Sequence, residues 1–158
     1  MDECKSRFLN YKNQKLKYKF PNSFTGKIKK GSYKKNIIAA VIREKGINSE
    51  REMAYMLHLS GFEVKDVHMT DLVSGKENLE NVNMVVFPGG FSNSDVLGSA
   101  KGWAGAFKYN EKAKKAINQF YSRSNTLSLG VCNGCQLMME LNLIDKKLNG
   151  NHPKMEHN

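Results

Sequence analysis

The stretch Thr126–Gln136, T-L-S-L-G-V-C-N-G-C-Q, is an apolar run that stops at a cysteine set between glycines. Leu127, Leu129 and Val131, with small Ser128 and Gly130 between them, suit a strand buried on both faces, as in a parallel sheet covered by helices. Beyond it Leu137, Met138, Leu141 and Ile144 recur at helical spacing, so a strand ends and a helix begins near Cys132. A cysteine on that turn sits at the carboxyl edge of the sheet, where the first N–H groups of the helix favour a thiolate and hence a nucleophile. Gly130 and Gly134 give the G-x-C-x-G spacing of a sharp strand-to-helix corner, in which side chains at the glycines would crowd neighbouring backbone.

Upstream, the chain alternates strand and helix patterns. Asn36–Arg43 (N-I-I-A-A-V-I-R) is an uninterrupted apolar strand broken by Gly46. Ser49 with Glu52 three residues on forms a capping-box pattern for a helix whose Met53, Met56, Leu57 and Ser60 share a face and which Gly61 ends. Phe62–Met69 reads as a second strand, followed by a weakly patterned polar connection to a third, Asn83–Phe87, which ends in Pro88, Gly89 and Gly90. Ser92–Phe107, rich in Gly, Ser and Ala around Trp103, fits a loop or a short helix. Asn110 caps a clearer helix, with Ala113, Ala116, Ile117, Phe120 and Tyr121 on the apolar stripe and Lys112, Lys114 and Lys115 in solvent. A turn follows at Asn149, Gly150 and Asn151. This alternation implies an α/β fold with right-handed crossovers and ligands at the strands' carboxyl ends.

With 158 residues the chain is long enough for one domain with a real core. Its net charge of +10 is uneven: residues 1–35 carry eleven Lys or Arg against Asp2 and Glu3, whereas fourteen basic and thirteen acidic residues follow. The basicity therefore belongs to an N-terminal connector (1–35) and not to the domain at 36–158. The connector has no nucleic-acid motif and irregular aromatics, so no nucleic-acid partner is expected. There is no apolar run long enough for a membrane span and no leader-like h-region, which predicts a cytoplasmic protein with no membrane partner. Three cysteines, an odd count, suit free thiols in a reducing compartment.

G-V-C-N-G-C-Q resembles the nucleophile elbow of class I glutamine amidotransferases. I-R-E-K-G-I-N-S-E-R-E-M-A, V-K-D-V-H-M-T-D-L, F-P-G-G-F-S-N-S-D-V-L-G-S-A-K-G-W-A-G and H-P-K-M-E-H-N narrow the likeness to the glutaminase domains of phosphoribosylformylglycinamidine synthases, over residues 36–158. The resemblance implies a three-layer α/β/α sandwich on a mostly parallel, flavodoxin-like sheet, incomplete at its C-terminus. It also implies that glutamine is the substrate and that ammonia is passed to synthetase domains. Those domains would use ATP and Mg²⁺ to amidate formylglycinamide ribonucleotide; no cofactor or metal is expected in this chain.

On that reading Cys132 attacks the glutamine side-chain amide. Backbone N–H groups of Asn133 and of the Gly89–Gly90 turn hold the oxyanion, and Gln136 matches the elbow glutamine that holds the substrate. Cys135 falls inside the new helix as packing, and Ser92, Asn93 and Asp95 either line the site or cap a turn. The family's His and Glu partners form an H-x-E motif downstream of the elbow, but His152 precedes Pro153 and Lys154, and His157 precedes Asn158. The 158 residues alone are thus expected not to hydrolyse glutamine. Rival readings are a non-catalytic remnant that binds synthetase domains, a Cys132-x-x-Cys135 redox pair without the usual flanking Trp and Pro, a zinc site without a second ligand pair, and a small RNA-binding protein resting on the tail alone.

Overall fold

The computed structural model describes residues 37–144, together with Glu3, Lys5, Ser6 and Leu9 near the N-terminus. Apart from those four residues, the connector at 1–35 lies outside the described residues, as do the turn at 149–151 and the block at 152–158. In chain order the elements are β1 (Ile38–Arg43), β2 (Ile47–Asn48), α1 (Glu50–Leu59), β3 (Glu63–His68), α2 (Met69–Ser74), β4 (Met84–Phe87) and β5 (Gly89–Gly90). A 3-10 turn (Ser92–Asp95), α3 (Lys101–Tyr109), α4 (Glu111–Ser122), β6 (Leu127–Gly130) and α5 (Asn133–Glu140) complete the series.

β1, β3, β4 and β6 form one all-parallel sheet in the order β3-β1-β4-β6. Ranked along the chain, its strands lie 2-1-3-4, the flavodoxin-like order. The chain steps one way from β1 to β3 and the other way from β3 to β4 and on to β6. Right-handed crossovers therefore put the helix after β1 on one face and the later helices on the other. Pleating does the rest. Ala40, Ile42, Val85 and Phe87 point into a large cluster with residues of α2, α3, α4 and α5, while Ala39, Val41 and Val86 point to Leu57 of α1. Under the large face, Phe87 meets Trp103 and Phe107 edge-on, with ring centroids 5.9 and 6.3 Å apart. Each of these inaccessible side chains contributes about 1.5–3 kcal/mol by burial alone.

Several local expectations are met. Gly61 ends α1 at φ 92°, with Phe62 N donating to Leu57 O and Gly61 N to His58 O, the paired bonds of a Schellman motif. Asn110 caps α4, its Oδ1 accepting from Ala113 N at 3.0 Å, and Ala113, Ala116, Ile117 and Phe120 are buried beneath it.

Others need correction. The elbow strand β6 is not buried on both faces: Leu127 is 67% and Leu129 41% exposed, because α1 packs mainly over β1 and β3. Ser49 starts α1 at φ 71°, ψ 15° without a side-chain cap, since a left-handed residue cannot turn its hydroxyl onto the N–H groups ahead. Met56 and Ser60 face solvent, and Met53, Ala54 and Leu57 form the packed stripe instead. The polar connection after β3 begins as α2, where His68 Nδ1 accepts from Thr70 N and Asp71 Oδ2 accepts from His68 N. Ser92–Phe107 resolves into the 3-10 turn and α3, and Ile144 lies beyond α5, half-exposed. Among the described residues, no helix is long and apolar enough to cross a membrane.

Candidate active site

Cys132 stands between the end of β6 and the start of α5 with φ 50° and ψ −111°, a backbone conformation that costs a non-glycine residue strain of order 1–3 kcal/mol. The surrounding contacts enforce it. Val131 N donates to Phe87 O (3.0 Å), Gly134 N to Val131 O (2.8 Å) and Gln136 N to Cys132 O (3.1 Å), so the corner is tied to β4 on one side and to the first helical turn on the other. A Cβ at Gly134 would overlap the Phe87 carbonyl, and one at Gly130 would meet Met138 Sδ at 2.6 Å and Gly134 O at 2.7 Å. The spacing G-x-C-x-G is thus a packing requirement of this corner. The Cys132 side chain itself is exposed, whereas Cys135 is half-buried within α5; both are free thiols.

A second loop closes on the corner from the end of β4. Gly89 lies so near that a Cβ there would come within 3.2 Å of Cys132 Cβ and 4.0 Å of its Sγ. Gly89 and Gly90 pair antiparallel with Asn48 and Ile47, a two-residue ladder that fixes the turn against the segment after β1. Phe91 N donates to Gly46 O and Asn93 N to Lys45 O, both at 2.8 Å. Gly90 has φ 111°, and a Cβ on it would reach Asn48 N at 2.6 Å. The segment after β1 and the loop after β4 leave the carboxyl ends of adjacent central strands, the switch point at which open α/β sheets bind ligands.

The next three residues, Asn93, Ser94 and Asp95, are all left-handed (φ 52°, 56° and 49°). Asn133, buried at 1% exposure, holds this loop: its Oδ1 accepts from Ser92 N (3.2 Å), and its Nδ2 donates to Asp95 Oδ1 (3.2 Å) and to Gln136 Oε1 (3.1 Å). Asp95 Oδ1 also accepts from Ala100 N ahead of α3.

Residues 36–158 match the family of CobB/CobQ-like glutamine amidotransferase domains. The chain belongs to that family. Phosphoribosylformylglycinamidine synthase of Homo sapiens is 54% identical over 99 residues, 63% of this chain and 7% of the human protein. The probable chloroplastic/mitochondrial phosphoribosylformylglycinamidine synthase of Arabidopsis thaliana is 40% identical over 157 residues, 96% of this chain and 11% of its own length. A chain of the PurLQS structure from Thermotoga maritima superposes with a TM-score of 0.57 at 25% identity, covering 70% of this chain and 47% of that one. This amidotransferase domain therefore spans only 7–11% of the curated relatives it matches.

Within the amidotransferase domain, the structure brings Cys132, Asn133, Gln136, Gly89 and Gly90 into one corner. As the first helical residue, Asn133 presents an N–H with no intrahelical acceptor. The described histidines lie elsewhere. His58 is exposed on α1, and His68 caps α2 at the end of β3, three strand spacings or about 14 Å from β6 across the sheet. Among the described residues, no three His, Cys, Asp or Glu side chains cluster to hold a metal. The Asn133 side chain is the feature that sequence reasoning missed, because the position after a nucleophile draws attention for its N–H alone. The polar run Ser92–Asp95 was the available signal: a loop this rich in short polar side chains needs a buried partner.

Proposed function

We propose that the chain carries the nucleophile half of the glutaminase of a phosphoribosylformylglycinamidine synthase. The Cys132 thiolate attacks the side-chain amide carbon of glutamine, the C–N bond breaks, and ammonia leaves with the added proton. Water then hydrolyses the glutamyl thioester to glutamate and free thiol. The N–H groups of Asn133 and of the Gly89–Gly90 turn receive the oxyanion, and removing one such donor typically costs ~10²-fold or more in rate. Gln136 holds the substrate. Ammonia then serves an ATP- and Mg²⁺-dependent synthetase site that amidates formylglycinamide ribonucleotide, in a reducing compartment such as the cytoplasm.

The observation that carries this reading is the backbone of Cys132, φ 50° and ψ −111°, presented at a strand-to-helix corner with Gly89 against its Cβ. A redox pair has no use for that corner. His58 and His68 lie away from Cys132, so the proton donor comes from residues other than 37–144. The test uses the complete gene product: Cys132→Ala should abolish glutamine-dependent synthesis while added ammonium salt still supports it. Glutamine-dependent turnover surviving in that variant would overturn the proposal.

A further inference from the structure

The polar relay behind the elbow fixes which end of the Gln136 amide turns toward Asn133. Asn133 cannot be turned over in its site: the Ser92 backbone N–H can only donate, so the atom facing it is the carboxamide oxygen. At the other end the Asp95 carboxylate accepts, so the atom facing it is the NH₂ group. The same Nδ2 has a second hydrogen, and the nitrogen lies 3.1 Å from the Gln136 amide. That hydrogen requires an acceptor, so Gln136 turns its Oε1 toward Asn133, and Nε2 is left with no hydrogen bond among the described residues. Asn133 is 1% exposed, so water cannot relax this choice; reversing it would leave a buried donor facing a donor.

We infer that Asp95 and Asn133 are positioning residues that orient Gln136 as a hydrogen-bond donor, so that it engages an oxygen of bound glutamine, the α-carboxylate or a carbonyl, and not the α-ammonium group. This rests on the glutaminase reading above. It also gives a role to the left-handed turn at 93–95, which carries the carboxylate to Asn133 from the far side of the loop.

The experiment measures KM and kcat for glutamate release by the complete gene product. Gln136→Glu keeps the acceptor toward Asn133 and replaces the donor toward substrate by a carboxylate oxygen, so KM for glutamine should rise about tenfold or more, with kcat changing far less. An unchanged or lowered KM would overturn the inference, because it would mean that Gln136 offers its oxygen. The exchange Asn133→Asp with Asp95→Asn supplies the second arm. It restores an amide–carboxylate pair but, because Asp95 Oδ1 accepts from both Asn133 Nδ2 and Ala100 N, it gives up the Ala100 bond and should melt somewhat below the parent while remaining folded. It nevertheless leaves no donor for Gln136, whose amide turns over, and KM should again rise about tenfold. If the exchange restores the parent KM, the pair is merely structural and the inference fails. Cys132→Ala run alongside separates the cases: glutamate release surviving in it removes the glutaminase reading itself, whereas its loss with a normal Gln136→Glu removes only the orientation of Gln136.

Discussion

On the face of the sheet covered by α2–α5, Phe87, Trp103 and Phe107 are at most 1% exposed, whereas on the α1 face Leu127 is 67% and Leu129 41% exposed. Both faces belong to the same four strands. The difference shows what holds the reactive corner. Phe87 is the common element: its ring is clamped by Trp103 and Phe107, its carbonyl accepts from Val131 N, and the same carbonyl occupies the space a Gly134 side chain would need. The elbow is thus set from the packed face, and the open face of β6 contributes little to it.

The packed face meets the elbow most tightly at Gly134. Gly134→Ala would drive a Cβ into the Phe87 carbonyl, so the corner must move; glutamate release by the complete protein should fall below detection, even where circular dichroism still reports a folded domain. Phe87→Ala should come next, costing about 3–5 kcal/mol in urea unfolding as the aromatic cluster loses its centre.

Glu77 makes part of the domain's stability depend on pH. Burial pushes its carboxyl up, but the Lys65 ammonium at 2.6 Å and the N–H groups of Leu79 and Asn78 outweigh burial and hold it below the usual carboxylate range. Because the folded pKa is the lower one, the stabilisation is fully present above the unfolded value of about 4.3 and fades as pH falls through the folded value. Glu77→Gln should therefore destabilise at neutral pH, with the gap to the parent closing in acid, as followed by unfolding at a series of pH values. The smallest effect belongs to the open face: Leu129→Thr should change stability by no more than about 0.5 kcal/mol in the same assay. A loss comparable to that of Phe87→Ala would mean that the α1 face supports the elbow after all.

Much of this was legible in the chain. Uninterrupted apolar runs at β1 and β4 and the clean stripe of α4 are dictated by burial and periodicity, and the G-x-C-x-G corner by backbone crowding, so each could be placed from residue type alone. What could not be read depends on contacts distant in sequence. Whether β6 is covered on both faces is decided by how far α1 reaches across the sheet. Ser49 failed as a cap because its backbone is left-handed, which a Ser-x-x-Glu pattern does not reveal. The Asn133 relay joins residues 38 positions apart, from Asp95 to Asn133, and only the fold brings them together.

The most direct test of the central claim is to trap the covalent intermediate. The complete gene product is mixed with glutamine, quenched in acid within its turnover time, digested and analysed by mass spectrometry. A glutamyl thioester is expected on the peptide containing Cys132, assigned to that sulfur and lost in Cys132→Ala. An adduct on Cys135, or glutamate released at the parent rate by Cys132→Ala, would contradict the claim.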